Sequence, residues 1–237
     1  MFVKTVHQIW LQGKKKLPKS YKENIEKCKK LNDNDHILWD HWKIRKLIKK
    51  HYRWLLELYD NYQFWVSKAD LARYVILHRY GGFYIDVDII PYQSFRDLII
   101  MSKGKVLLEV IDNNLLTKLY NRIFVNNHFL YVPRPKNEFI YYILLKCFLN
   151  FPREVYSIKF FYILNTAGPM MLIEATEEML DKVSLQKTSV FINYFKHLGA
   201  GSWIWGIKKF TDTQDVIFCS TFLIFMYLVY LSVESAN

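Results

Sequence analysis

The sequence predicts an α/β fold in which a mainly parallel sheet is flanked by helices. Three observations carry this expectation. Segments with strand character alternate with segments of helical periodicity along most of the chain. The stretch "SKADLARYVILHRYGGFYIDVDIIPY", residues 67 to 92, runs a helix into a double glycine and then into a short apolar strand that ends on Asp86 and Asp88. A length of 237 residues, with 51% hydrophobic and 17% aromatic residues, supplies one full core.

Taken in order, "VKTVHQIWL" reads as the opening strand, with Gly13 and Pro18 punctuating the loop after it. Tyr21, Ile25, Cys28 and Leu31 recur at helical spacing and predict an amphipathic helix over 19–31. "HILW" at 36–39 is a second strand, and residues 42–62 read as helix with one or two breaks. The next helix is expected to start at Ser67 as N-cap, with Leu71, Tyr74, Val75 and His78 as its buried face. Gly81 and Gly82 end it as a left-handed cap requires. Strands follow at 83–87 and in "KVLLEVI", 105–111; "HFLYVP" and a helical run over 137–149 add a further pair. Neither internal repeat nor linker interrupts the chain before about residue 210, which predicts one domain over 1–210 and a separate tail.

The formal charge is +11, and basic residues crowd the first fifty positions, as in "GKKKLPKSYKENIEKCKK" and "KIRKLIKK". Such a surface favours phosphates, whether of nucleic acid, anionic lipid or a charged substrate; it also reads as a solvated lysine face. Cys28, Cys147 and Cys219 are odd in number and widely spaced, which suggests neither a disulfide framework nor a metal-ligand pattern and favours a reducing compartment. The N-terminal "MFVKTVHQIWLQGKKK" has no apolar core of the length a secretory signal needs. From Val216 to Val233 the chain carries no charge, proline or glycine for 18 residues. As a helix this run spans roughly 27 Å, enough for a thin bilayer. A membrane helix over 214–233 is the expectation, with a buried core helix as the alternative.

Asp86 and Asp88 fall where ligands bind in open α/β sheets, beyond the carboxyl end of a strand. One residue apart on an extended chain, they point to the same side and offer hard oxygen ligands for Mg²⁺ or Mn²⁺ bridging a diphosphate. Asp70 and Arg73 lie one helical turn apart, opposite the apolar face. They read two ways. Ser67-x-x-Asp70 resembles a capping box with Arg73 as a helix-surface partner; alternatively Asp70 holds a sugar hydroxyl and Arg73 sugar or phosphate oxygens.

These segments together resemble the DXD-containing glycosyltransferases of family 32, a group that includes fungal α-1,6-mannosyltransferases and inositolphosphorylceramide mannosyltransferases. The glucosyltransferase domains of clostridial toxins are more distant relatives. "VHQIWLQGKKKLP", "HILWDHW", "SKADLARYVILHRYGGFYIDVDI", "VNNHFLYVPRPKNEF", "NTAGPMML" and "HLGAGSW" follow the family's order over about residues 4 to 205. The resemblance implies a GT-A-type, Rossmann-like domain that moves a hexose from a UDP- or GDP-linked donor to a glycan or lipid-linked acceptor. Retention of configuration and a divalent metal, Mn²⁺ or Mg²⁺, are part of that implication.

Residue by residue, it puts Trp10 on the nucleotide base, and Asp70, Arg73 and Tyr84 around the donor sugar, with Asn127 nearby. Asp88 takes the metal directly and Asp86 contacts the ribose or the metal through water; His197, Ser202 and Trp203 close over the diphosphate, with His197 as a further metal or phosphate ligand. No nucleic-acid partner is expected. The sequence departs from the family in Thr166-Ala167-Gly168-Pro169, one residue longer than the usual block, and in Leu198, where a second histidine is common. With the tail as a C-terminal anchor, and Lys208 and Lys209 before it, the catalytic domain would face the cytosol. Two rivals remain from the residues alone: a haloacid dehalogenase-type phosphatase using Asp86 and Asp88, and a basic, membrane-attached adaptor without catalysis.

Overall fold

A computed structural model describes residues 2–33, 35–111, 122–150 and 159–199. Its centre is a six-stranded sheet in the order β2-β1-β3-β6-β5-β7. The strands are β1 (Val6–Ile9), β2 (His36–Trp39), β3 (Gly82–Ile85), β5 (Val106–Val110), β6 (Val125–Val132) and β7 (Val183–Lys187). Strand β6 runs antiparallel to both neighbours, while the other pairings are parallel. The sheet is therefore mainly parallel, with one reversed strand. A small second sheet pairs β4 (Ile89–Pro91) with β8 (Phe195–His197).

Both faces are covered at the sheet's centre, where β3 and β5 read as largely apolar runs. Alternate residues divide between the two layers. Tyr84, Leu108 and Leu130 face a core filled from α2 (His41–His51), α3 (Leu56–Asn61), α4 (Trp65–Tyr80), α6 (Glu138–Leu149), α7 (Lys159–Thr166) and α8 (Pro169–Glu178). Phe83, Leu107, Phe129 and Tyr131 face the other core, shared with α1 (Lys19–Leu31), α5 (Arg96–Met101), the short α9 (Thr188–Phe191) and β8.

Helix α1 has the bounds its periodicity predicts, and the 42–62 run is broken at Tyr52 and a 3₁₀ turn over Arg53–Leu55. Helix α4 departs from expectation at its start. It begins at Trp65 with Phe64 as N-cap, so Ser67 lies inside the helix, fully buried, and is not a cap. The capping-box reading of Ser67 and Asp70 is thereby overturned. The helix is also buried on both sides: every residue from Asp70 to Leu77 is buried, and His78 is the first to emerge.

Gly81 and Gly82 both take positive φ, at 68° and 91°. The Gly81 N–H closes α4 on Leu77 O at 2.8 Å, but its ψ of −162° is extended and not left-handed helical. A Cβ at Gly82 would sit 2.4 Å from Thr5 O, whose carbonyl accepts the Phe83 N–H at 2.8 Å. Glycine is what lets β3 lie against β1 here.

None of the described helices is long and apolar enough to cross a membrane. The run 214–233, Cys219, Lys208 and Lys209 lie outside the described residues.

His7 joins three elements. The Trp39 indole N–H donates to its Nδ1 at 3.2 Å, and its Nε2–H donates to Gly81 O at 3.1 Å. That pattern requires the neutral ring, and burial lowers its pKa to about 4. As pH falls from 6.5 towards 4 the unfolded chain binds this proton and the folded chain does not, so stability is lost on acidification. Denaturation from pH 4 to 8 is expected to show this as about 1.4 kcal/mol per pH unit below 6.5, read as the difference in slope between wild type and His7→Gln. Parallel slopes would contradict it.

Candidate functional site

Strand β3 stops at Ile85, one residue before the first aspartate. The chain then turns, with the Ile89 N–H donating to Asp86 O at 3.2 Å, and re-enters extended structure as β4. Asp86 and Asp88 therefore do not alternate along one strand, as expected; they converge because the backbone folds between them. Three neighbours hold this turn. The Gln8 side chain donates to Asp86 O at 3.3 Å, Asn24 of α1 to Val87 O at 3.4 Å, and the Asp86 N–H to His128 O at 3.0 Å.

Pairing of β4 with β8 places Ile89 opposite His197, and the Leu198 N–H donates to Asp88 O at 3.2 Å. His197 Nε2 thus comes within 3.4 Å of Asp88 Oδ1. One ligand atom each from Asp86, Asp88 and His197 lies within 4.8 Å of the others. Burial works against a charged His197, but the hydrogen bond and charge of Asp88, with Asp86 and Glu109 behind it, raise its pKa above the ordinary imidazole value.

On the other side of Asp86 stands the buried pair from α4. Arg73 Nη2 lies 2.5 Å from Asp70 Oδ1 and 4.0 Å from Asp86 Oδ1. Its Nη1 donates to the Asn127 carbonyl, and its guanidinium lies 4.7 Å above the Tyr84 ring. Tyr84 in turn donates its hydroxyl to Asp86 Oδ1 at 2.5 Å, and Asn127 Nδ2 donates to Asp70 Oδ1 at 3.4 Å. Burial pushes the Asp70 carboxyl up to about 7 against the opposing pull of Arg73, with Asp86 adding to the rise. Burial also opposes the Arg73 charge, but Tyr84, Asp70 and Asp86 together raise its pKa above the ordinary value.

The side chains of Asp70, Arg73, Tyr84, Asp86, Asp88, Asn127 and His197 line one cleft of about 640 Å³ at the carboxyl ends of β1 and β3. Trp10, just past β1, forms one wall; its ring meets Tyr21 edge-on at 5.7 Å, and its buried indole N–H has no acceptor among the described residues. Eight of the residues named from sequence meet here: Trp10, Asp70, Arg73, Tyr84, Asp86, Asp88, Asn127 and His197. Ser202 and Trp203 lie outside the described residues.

Sequence reasoning missed Gln8 and Asn24, which hold the turn, and a buried pair beside His197. His128 Nε2 lies 2.8 Å from Glu109 Oε2, and the His128 ring stacks on His197 at 4.2 Å. The available signal was a polar side chain in each of two apolar strands, Glu109 in "KVLLEVI" and His128 in "HFLYVP".

Because Asp70 and Arg73 are 2% and 4% exposed, removing either strands the other's charge away from water. Asp70→Leu and Arg73→Met are each expected to cost about 3–5 kcal/mol, with the double variant losing much less than the sum. Denaturant titration checks this; additive losses below about 1 kcal/mol would contradict a buried ion pair.

Residues 18–105 match the family model described as "Glycosyltransferase sugar-binding region containing DXD motif". The matched region contains Asp70, Arg73, Tyr84, Asp86 and Asp88; Trp10, Asn127 and His197 lie outside it. Among curated proteins, the uncharacterized glycosyltransferase L373 of Acanthamoeba polyphaga mimivirus is 37% identical over 42% of this chain and 40% of its own length. Inositol phosphoceramide mannosyltransferase 3 of Schizosaccharomyces pombe is 34% identical over 36% of this chain and 24% of its own. Mannosyl phosphorylinositol ceramide synthase SUR1 of Saccharomyces cerevisiae is 38% identical over 36% and 22%. The chain thus spans less than half the length of these relatives.

Among solved structures, the PaToxG glycosyltransferase superposes with a TM-score of 0.54 at 19% identity, covering 76% of this chain and 70% of that one. The ligand-free glycosyltransferase domain of the YGT toxin gives 0.52 at 12% identity, over 79% and 80%. At such identities the likeness is one of fold, a mixed α/β architecture of the GT-A kind. Over residues 18–105, which supply Asp70, Arg73, Tyr84, Asp86 and Asp88 to the cleft, the chain is similar to the DXD-motif glycosyltransferases.

Proposed function

We propose that the protein transfers a hexose from a UDP- or GDP-linked donor to a hydroxyl of a glycan or lipid-linked acceptor, with a divalent metal at Asp86, Asp88 and His197. One observation carries this reading most directly: two carboxylates and an imidazole present ligand atoms within 4.8 Å of one another in a cleft of about 640 Å³. The two carboxylate oxygens suit Mg²⁺ or Mn²⁺. Tyr84 occupies one oxygen of Asp86 from behind and leaves the other for a ligand. When bound, the metal supplies charge that neutralises the leaving diphosphate.

The chain's own residues do the rest. Trp10 offers an aromatic wall and an indole N–H without an acceptor among the described residues, which suits a nucleotide base. Asp70 and Asn127 hold the donor sugar. Arg73 is a positioning residue: its charge is spent on Asp70, the Asn127 carbonyl and the Tyr84 face, and it fixes all three. In the transfer, the acceptor oxygen bonds to the anomeric carbon, the bond from that carbon to the diphosphate oxygen breaks, and the hydroxyl proton leaves on the diphosphate. Retention of configuration rests on the family resemblance. The names of the fungal relatives favour mannose as the hexose. Ser202 and Trp203 closing over the diphosphate, and residues 214–233 anchoring a cytosol-facing domain over 1–210 to a membrane, belong to this proposal on sequence alone. The comparisons favour a transferase over the phosphatase and adaptor readings.

Donor hydrolysis is expected to vanish with EDTA and return with Mn²⁺. Asp88→Asn is expected to lower it by at least a hundredfold, a loss of about 2.7 kcal/mol or more in transition-state stabilisation, while thermal melting stays within a few degrees. Full turnover in EDTA would sink the metal assignment.

A further inference from the structure

The last turn of α4 leaves the cleft of Asp70 and Arg73 behind and carries His78 and Arg79 to a second cavity, of about 610 Å³. None of the residues lining it lines the cleft. His51, the last residue of α2, and Lys136, in the turn before α6, bring two more basic side chains to it. The Lys136 N–H donates to His78 O at 2.6 Å, which fastens that turn to the end of α4. Lys136 does so at a φ of 55°, a left-handed conformation uncommon for a residue other than glycine.

These cations lack counter-charges. The Arg79 Nε is buried and has no acceptor among the described residues, and the guanidinium lies 5.5 Å from the Tyr80 ring. Among the described residues no carboxylate pairs with Arg79 or Lys136. Glu138, the one acid among the described lining residues, pairs with Lys182 Nζ at 2.7 Å. The histidines sense the uncompensated charge. Desolvation and then Lys136 lower the pKa of His78, and desolvation, Arg79 and Lys50 lower that of His51.

We propose that this cavity binds a phosphate monoester, with the phosphate held by Arg79 and Lys136 and the organic part against the rings of Tyr52, His78 and Tyr141. The proposal is independent of the transferase reading. A phosphate monoester carries about −1.5 to −2 charges at neutral pH, which matches two permanent cations; a carboxylate would leave one of them unmatched. The arginine fork suits phosphate oxygens, and burial strengthens each such bond. The aromatic side is already in place. Tyr52 Oη and His78 Nδ1 are 2.6 Å apart, and the His78 ring lies 5.5 Å from both the Tyr52 and the Tyr141 rings. The rival explanation is that His51 and Arg79 only offset the C-terminal dipoles of α2 and α4, as cations in a last turn do without any ligand.

The test titrates the full chain calorimetrically with glycerol 3-phosphate, in metal-free buffer of low ionic strength. In parallel the chain is mixed with phosphatidylcholine vesicles with and without phosphatidic acid, which presents the same monoester on a lipid. Without metal, Asp86 and Asp88 disfavour an anion in the cleft, so binding reports the second cavity. Arg79→Met is expected to weaken binding at least tenfold, and Lys136→Gln, at an exposed position, at least threefold. Lys30→Gln, exposed on α1 and outside the cavity, removes one charge as a control and is expected to keep wild-type affinity. Binding of glycerol 3-phosphate with this pattern supports the site with a soluble ligand. The same pattern seen only with phosphatidic acid vesicles supports it with a lipid headgroup. If Arg79→Met shows no melting transition, Lys136→Gln alone decides. No binding of either probe by the wild type, unchanged affinity in Lys136→Gln, or an equal loss in Lys30→Gln would overturn the site and leave the dipole role.

Discussion

The buried guanidinium of Arg73 is the constraint on which the cleft depends. Taking such a charge out of water costs several kcal/mol unless geometry and partners compensate. Here the compensation comes from four directions: the Asp70 carboxylate on its own helix, the Asn127 carbonyl at the start of β6, the Tyr84 ring on β3, and Asp86 at 4.0 Å. Helix, two strands and the aspartate turn are therefore tied to one group. This explains why α4 is buried all round instead of along one stripe. Its second buried face is the floor of the site.

A second constraint is steric. The positive φ of Gly82 and the absence of a Cβ let β3 approach β1. Their carboxyl ends then lie side by side, with Trp10 leaving one and Asp86 the other. The turn after β3 is held by Gln8 from β1 and Asn24 from α1, so the position of both carboxylates is set by buried amides. The small β4–β8 sheet then brings His197 to Asp88 from a segment more than a hundred residues later in the chain.

Much of this was legible in the sequence, and the failures are informative. Helix 19–31 was readable because its apolar residues recur at one local spacing. Asp86 and Asp88 were readable as a pair because adjacency alone brings them together. Their geometry was not: a turn and an extended strand differ by backbone angles that the tripeptide Asp-Val-Asp does not impose, and Gln8 and Asn24 decide between them. Ser67 looked like a cap because Ser-x-x-Asp is a local signature, but Trp65 and Val66 continue the helix ahead of it. The reversal of β6 carries no signal, since period-two patterning is the same in either direction. Glu109 and His128 are paired across two strands, and nothing in either segment names its partner.

The claim that the sheet edge builds a metal and nucleotide site is tested most directly by crystals grown with Mn²⁺ and UDP or GDP, with anomalous scattering recorded at the manganese edge. The account predicts one peak bounded by Asp86, Asp88 and His197, with the base against Trp10. Ordered nucleotide elsewhere, or manganese in the crystal with no peak at those residues, would contradict it.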